Sequence, residues 1–532
     1  TAYFSTGLEG SFTAVDRNWF WDVNGAYGKN EGSQRKTGAL NIARIATALG
    51  PVDVCNNTPG CVPLNIFGGQ GDGSGTITPE MLNYISFVQS DNSEQELTDF
   101  TANISGDLFE LPAGPLSVAV GYEYRKKSGF FQPDAVVVAG ESNGVPASPT
   151  SGEFSVDEFY AEFLVPVLAD QKFAELLDFS VAFRSSDYST SGSDTTSKFG
   201  FQYMPTSNLM FRGSFAEGLR APSIGELFGT QARFDAQLND PCNSVNGITP
   251  NLPGCSGVPD GYEQINPQIS TLTGGNPGLS PEEAETLTLG LIYSPEWADD
   301  LSWANSLDFE LTYYDIEVEG AIQAVDAQFI LDTCSTSPGN SLCSNFSRDS
   351  FGNIENFSNQ LTNIGSIETS GVDFNVNWTS PQFDWGFLQA AWNNSFVNEF
   401  NEDGRDLDGI EVNNSGIPNW NSNLYTTINY HNWKVIWGTR HIGGLTETCA
   451  AFLIGQGLCS DEAAGTNNLG GTTYHDLQII FPEWNTVQFE VGVNNITDKQ
   501  PPTCFSCSLN GYDPSTYDGE GQFAYVRATI KF

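Results

Sequence analysis

Basic side chains are scarce in this 532-residue chain. Lys and Arg number 21 against 65 Asp and Glu, a formal net charge of −44. A nucleic-acid binder must neutralise phosphates with Lys and Arg, so no nucleic-acid partner is expected. A surface of this sign repels anionic partners and suits either salty water or divalent cations, the former being the blander reading. Histidine occurs three times, at His431, His441 and His475, too rarely to furnish a zinc site. No run approaches the ~20 apolar residues of a membrane helix. The opening TAYFSTGLEG has neither an initiator Met nor a leader, which reads as a processed or truncated product. GxSxG, HExxH and Walker motifs are missing, and no nucleophile–base constellation accompanies the three histidines, so no enzyme is expected. The glycines of 68–75 (GGQGDGSG) do not lead from a strand into a helix, as a phosphate-binding loop requires. No cofactor is expected. Asp403, Asp406 and Asp408 in NEDGRDLDG carry oxygens suited to Ca2+ but lack EF-hand spacing. A solvated hairpin tip is the preferred reading there, with Ca2+ in the long loops as the alternative.

Ten cysteines are present, in five close pairs: Cys55/Cys61, Cys242/Cys255, Cys334/Cys343, Cys449/Cys459 and Cys504/Cys507. Most intervening segments are polar and rich in Gly, Pro, Asn or Ser, which reads as local disulfides formed in an oxidising compartment. Only Cys504/Cys507 has CxxC spacing, and its loop is very tight.

The strongest pattern has period two. In LDFELTY, Leu307, Phe309, Leu311 and Tyr313 alternate with Asp308, Glu310 and Thr312. GVDFNVNW sets Val372, Phe374, Val376 and Trp378 against Asp373, Asn375 and Asn377, and VQFEVGVN repeats the pattern with Gln488 and Glu490 on its polar side. Strand side chains alternate faces, so each segment has one apolar and one polar side. About seventeen such segments occur, near 2–13, 19–31, 96–110, 115–128, 154–168, 177–189, 195–206, 208–220, 284–295, 305–319, 365–379, 383–399, 419–431, 433–445, 472–483, 487–498 and 523–532. Short connections (204–208, 431–432, 483–486) alternate with long ones (32–95, 129–153, 221–283, 320–364, 499–522). That alternation predicts an all-β transmembrane antiparallel barrel with short turns on one rim and long extracellular loops on the other. The cysteine pairs fall in the long connections or in the extended hairpin 446–471. Helix-like stretches at 38–49 and 78–88 lie within the first long loop. Trp19, Trp21, Tyr122, Tyr124, Trp433 and Trp437 suit interfacial aromatic girdles. Single-chain bacterial barrels have even strand counts. An odd count therefore implies either a miscount or absent strands, and seventeen would be the last part of a 22-stranded plugged barrel.

Four segments resemble the TonB-dependent receptor family. LMFRGSFAEGLRAPSIGELF (209–228) resembles the family strand ending in aromatic–Arg–Ala–Pro, carried here by Arg220, Ala221 and Pro222, with Leu219 at the aromatic position. GGNPGLSPEEAETLTLGLIY (274–293) is similar to its Asn-Pro-x-Leu-x-Pro-Glu segment through Asn276, Pro277, Leu279, Pro281 and Glu282. FEVGVNNITDKQPP (489–502) matches its penultimate strand at Asn494, Asn495 and Asp498, and the last strand closes on Phe532, like the aromatic signal read by the outer-membrane insertion machinery. CNNTPGCVPLNIFGG (55–69) also resembles a loop of large receptors from marine Gram-negative bacteria. GEGQF (519–523) departs from the family's Gly-Arg, and neither a plug nor an energy-coupling box is visible. Arg220–Pro222 and Asn276–Pro277 read first as turn and barrel-rim devices.

The resemblance implies that residues 1–532 are the barrel part of such a receptor, with the N-terminal plug and first strands absent. It further implies location in the bacterial outer membrane, with outer-membrane lipid around the wall, the inner-membrane TonB complex as partner through the plug, and a surface lipoprotein as a further possible partner. The implied function is energised uptake of a small or oligomeric nutrient. Scarcity of Lys and Arg favours a neutral solute such as an oligosaccharide, or a cationic one, over a ferric siderophore, and no ligand-binding residue is indicated. The rivals are a passive porin, which the long loops disfavour, and a soluble β-rich binding or adhesion protein.

Overall fold

The computed structural model describes residues 1–67, 77–230, 232–244, 247–298, 301–363, 365–412, 414–449, 457–461, 463–507 and 511–530. Among them, seventeen long strands form one sheet: Ala2–Ala14, Arg17–Leu40, Ser86–Leu111, Gly114–Gln132, Thr150–Gln171, Ala174–Tyr188, Gly192–Thr206, Leu209–Arg220, Glu282–Tyr293, Ser306–Glu319, Ser366–Thr379, Gly386–Glu402, Trp420–Tyr430, Trp433–Ile442, Thr472–Ile480, Val487–Asn494 and Phe523–Ile530. The two-residue strand Arg405–Asp406 extends it. Each long strand pairs antiparallel with the next in the chain. Among the described residues, no pairing joins Ala2–Ala14 to Phe523–Ile530.

All seventeen alternating segments are strands. One rim turns tightly. Val15 and Asp16 (φ 54° and 58°) join the first two strands, and His431 (φ 49°) lies between paired Tyr430 and Trp433. Two-residue hairpin loops adopt positive φ because only that backbone twist matches the flanking strands.

The register lines up one apolar face. Phe199 stands opposite both Val181 and Phe215, and Phe215 opposite Leu287. Rings touch across strands on this face, as in Tyr122–Phe159 (4.9 Å) and Phe374–Trp392 (6.1 Å). Many of these large side chains remain open, Phe159 at 62% and Val526 at 72%, which an apolar solvent would satisfy. Glycines complement the bulky rings: a Cβ at Gly106 would meet the Trp19 ring, and one at Gly10 the Trp21 ring. The other face carries Asp308, Glu310, Asn375, Asn377, Gln488 and Glu490 in register with further polar groups.

The second and third strands outrun their expected bounds. Positions 32–40 and 86–95 pair as strand (Gly32↔Ser93, Arg35↔Ser90) where a loop is expected. Over 32–36 and 89–95 both faces are polar, so the period-two signal vanishes while backbone pairing continues. Lys29 near this hairpin lies 3.0 Å from Glu94 and 3.2 Å from Glu31. The helix-like stretches shrink accordingly to Ile42–Leu49, capped by the Asn41 side chain, and Pro79–Ile85, capped by Thr78.

Among the described residues the long connections carry small cores of their own, of which two are the largest. One joins 232–273 to 320–363 around Leu238, Ile330, Leu331 and Phe357. The other joins 443–471 to 495–522 around Leu445, Leu469 and Tyr517, and Ile410–Glu411 of the connection 403–419 pairs alongside it. Alternation did not reveal the short strands inside them, such as Ala232–Gln237 and Gln268–Thr273.

Candidate functional site: the polar face and its rim

Three adjacent strands place charge on the polar face near the long-connection rim. Glu158 is buried. Its carboxylate accepts from Ser186 Oγ (2.6 Å), Arg184 Nε (3.0 Å) and Nη2 (2.5 Å), and Arg125 Nη2 (3.0 Å). Arg184 also reaches Glu123 at 2.9 Å and lies over the Tyr160 ring at 5.1 Å. A cavity of about 410 Å³ opens here, bounded also by Lys127, Leu219 and Arg220. No local motif announces this cluster. Its members are strands apart, and the only trace in the sequence is charge at polar strand positions.

The family-like residues assemble a clasp at the same rim. Arg220 ends its strand and grips Glu282, the first residue of the next, through Nε and through Nη2 at 2.6 Å. It also binds Glu226 of the short helix Ile224–Phe228 through two bonds of 3.0 Å. Glu226 in turn accepts from the Ser223 N–H at 2.7 Å. Burial raises the Glu226 pKa, but the Arg220 guanidinium and the Ser223 donors outweigh that and hold it below the usual carboxylate range. Ala221 and Pro222 carry the chain from strand into helix. Asn276 donates to the Leu361 carbonyl at 3.1 Å and accepts from Gly278 N–H at 2.9 Å. Leu279, two residues past Pro277, is buried against Leu227 and Ile322, and Pro281 leads straight into Glu282.

At the other motif, Asn494 pairs with Phe523, and buried Asn495 turns the chain in a left-handed conformation (φ 49°). Asn495 accepts from Lys499 N–H at 2.8 Å, and Asp498 accepts from Gln522 N–H at 3.0 Å. Phe532 and the glycines of 68–75 lie outside the described residues.

Each of the five close cysteine pairs is bonded: Cys55–Cys61, Cys242–Cys255, Cys334–Cys343, Cys449–Cys459 and Cys504–Cys507. Glu411, Cys504 and Cys507 bring potential ligand atoms within 4.8 Å of one another, but the two sulfurs are bonded together and offer no thiolate. Asp403 and Gly404 form the tip of the turn between paired Glu402 and Arg405, while Asp408 is bound by Asn419 and lies against Asp406; among the described residues the three Asp of 403–408 are not gathered as a metal-ligating group. His441 and His475 stand on the apolar face and His431 in a tight turn, apart from the charged cluster.

In the first loop core, Arg348 clamps buried Asp240 at 2.5 and 2.8 Å. Burial, then the Asp240 carboxylate, push Tyr262 up to about 12. A cavity of about 690 Å³ lies alongside, lined by Arg233, Gln264, Gln268 and Asn356 among others. In the second, burial and the neighbouring Asp513 carboxylate push Glu411 up to about 7. Burial also acts on Asp513, but donors from Thr516, Ser515 and Gly416 outweigh it and hold that group low.

A single sheet with one apolar face, one polar face and loops massed on one rim defines a membrane β-barrel wall. The chain belongs to the TonB-dependent receptor family: residues 1–496 match its description, "TonB dependent receptor-like, beta-barrel". Proteins of this family are outer-membrane β-barrels and receptors. Among solved structures it is similar to the siderophore receptor PirA of Acinetobacter baumannii (14% identity, TM-score 0.50, 99% of this chain and 70% of that one). It is also similar to a mutant ferric enterobactin receptor PfeA of Pseudomonas aeruginosa (14%, 0.52, 97% and 62%). The P. aeruginosa receptor FpvA, solved with a ferric pyoverdine, compares likewise (11%, 0.51, 99% and 55%). At these identities the likeness is one of fold. The chain thus spans between about half and 70% of the length of these receptors. No curated protein sequence matches it.

Proposed function

We propose that this chain is the wall and capture surface of an outer-membrane transporter energised through TonB, taking up a neutral or cationic solute such as an oligosaccharide. The observation that carries the ligand class is the state of the arginines on the polar face. Arg125, Arg184, Arg212, Arg220, Arg440 and Arg527 each lie in ion-pair contact with at least one carboxylate. Paired guanidiniums present little net field to an anion, and the chain's net charge of −44 opposes its approach. In this reading the long connections face outward and the polar face lines the path. The plug and remaining strands occupy the share of the solved receptors' length that this chain does not span, and the plug carries the contact with TonB.

The test is uptake by intact cells carrying the complete receptor, with and without functional TonB. Labelled neutral oligosaccharides, a cationic ferric chelate and an anionic one are compared. TonB-dependent accumulation of a neutral or cationic probe is the expected result. Accumulation of the anionic chelate alone would sink the proposed ligand class, and uptake indifferent to TonB would leave a passive channel.

A further inference from the structure

Three carboxylates are buried together where the connections 403–419, 443–471 and 495–522 interlock: Glu411, Glu447 and Asp513, at 2%, 1% and 0% exposure. Among the described residues none is in ion-pair contact with a Lys, Arg or His; Arg440, on the nearby strand, is taken by Asp476 and Asp518. A buried carboxylate must be hydrogen-bonded, neutralised or bound to a cation. Glu447 is satisfied, since Asn467 Nδ2 (2.6 Å) and the N–H groups of Phe505 (2.9 Å) and Ser506 (2.7 Å) all donate to it.

Glu411 and Asp513 are different. Glu411 Oε1 accepts from Asn414 N–H at 2.8 Å, but its buried Oε2 has no donor. Asp513 Oδ2 has a single long one, Gly416 N–H at 3.1 Å. The two oxygens approach one another at Gly416, beside a Leu445 methyl: a Cβ there would lie 2.7 Å from Glu411 Oε2 and 3.3 Å from Asp513 Oδ2. Tyr517 lies one turn on, its N–H donating to the Asp513 carbonyl at 3.1 Å. Its hydroxyl is buried without a partner among the described residues, and both carboxylates act on it electrostatically.

We propose that Glu411, Asp513 and Tyr517 form a Ca2+ site that locks the connections 403–419 and 495–522 together. The donors are all oxygen, as Ca2+ requires, and two carboxylates balance its charge. Zn2+ would want the sulfurs, which are bonded to each other. Ca2+ tolerates an irregular shell that backbone carbonyls and water complete, whereas Mg2+ demands near-ideal octahedral geometry at shorter distances. The cation would bridge 403–419 to 495–522 across the hairpin that carries Leu445 and Glu447. This inference is independent of which solute is transported.

The experiment is hydrogen exchange of the complete receptor in detergent after EDTA treatment, followed over segments 408–419 and 511–519. CaCl2 is compared with MgCl2 at about 10 mM, some tenfold above the weakest dissociation constants of extracellular calcium modules. Linkage then predicts about tenfold slower exchange with Ca2+. The slowing should be absent with Mg2+ and lost in Glu411→Gln and Asp513→Asn. If the variants misfold, the wild-type comparison still decides. Exchange indifferent to Ca2+ overturns the proposal. So does equal slowing in a folded Glu411→Gln, or a rise in protection of these segments in mild acid without Ca2+ beyond the fall in intrinsic exchange seen in the wall, which would mean that the carboxylates share a proton.

Discussion

Replacing Arg348 by Ala should open the first loop core without unfolding the wall. Arg348 reaches Asp240 through two bonds of 2.5 and 2.8 Å, and its side chain is 17% exposed where that of Asp240 is fully buried. Without the guanidinium, Asp240 keeps the Cys242 N–H at 2.9 Å but no countercharge. Removing one partner of a buried pair costs about 3–5 kcal/mol. That cost falls on a sub-global opening that can be measured separately from the barrel. At a factor of ten per ~1.4 kcal/mol, amides of 232–273 and 320–363 should exchange roughly a hundredfold to a few thousandfold faster, while those of 114–132 should not change. Removing both charges together, by Asp240→Leu with Arg348→Met, should recover most of the loss. About 1 kcal/mol should remain, because the hydrogen bond to Cys242 N–H goes too. A rise below about fivefold in the single variant would refute the claim that this buried pair holds the loop core closed.

Two further outcomes follow from the same packing. Gly121→Ala places a methyl into the Tyr160 ring and against Asn103 Oδ1; overpacking of this kind costs on the order of 1–3 kcal/mol and should lower the temperature at which the folded band is lost on a detergent gel, whereas Gly140→Ala, with open space at its Cβ, should be limited to local backbone strain. Tyr262 is raised to about 12 from an ordinary 10, so between those values the unfolded loop releases its proton first and stability falls as pH rises; the loop core should open over pH 10–12, and Tyr262→Phe should abolish that step as followed by phenolate absorbance.

Seventeen strands, their faces and the tight turns of one rim were legible in the sequence because each reports a local constraint. A strand half in lipid and half against water must alternate, and a two-residue hairpin must take positive φ. The close cysteine pairs were legible for the same reason, the partners being only 3 to 13 residues apart. So were the segments at 209–228, 274–293 and 489–502, which pointed to the family that the match over 1–496 establishes.

What the sequence alone left open lies where neighbours in space are distant along the chain. Positions 32–40 and 86–95 are strand because they pair with each other, and the stretch 32–36 against 89–95, polar on both sides, has no period to read. Arg220 read as a rim device, but its partner Glu282, 62 residues on, came into view only with the fold. Glu158 gained its meaning from Arg125 and Arg184 on flanking strands, and Glu411 from Asp513, brought to it by the folding of two long connections. Such groups are set by long-range packing and burial, which decide whether a carboxylate is one of 65 solvated charges or part of a site.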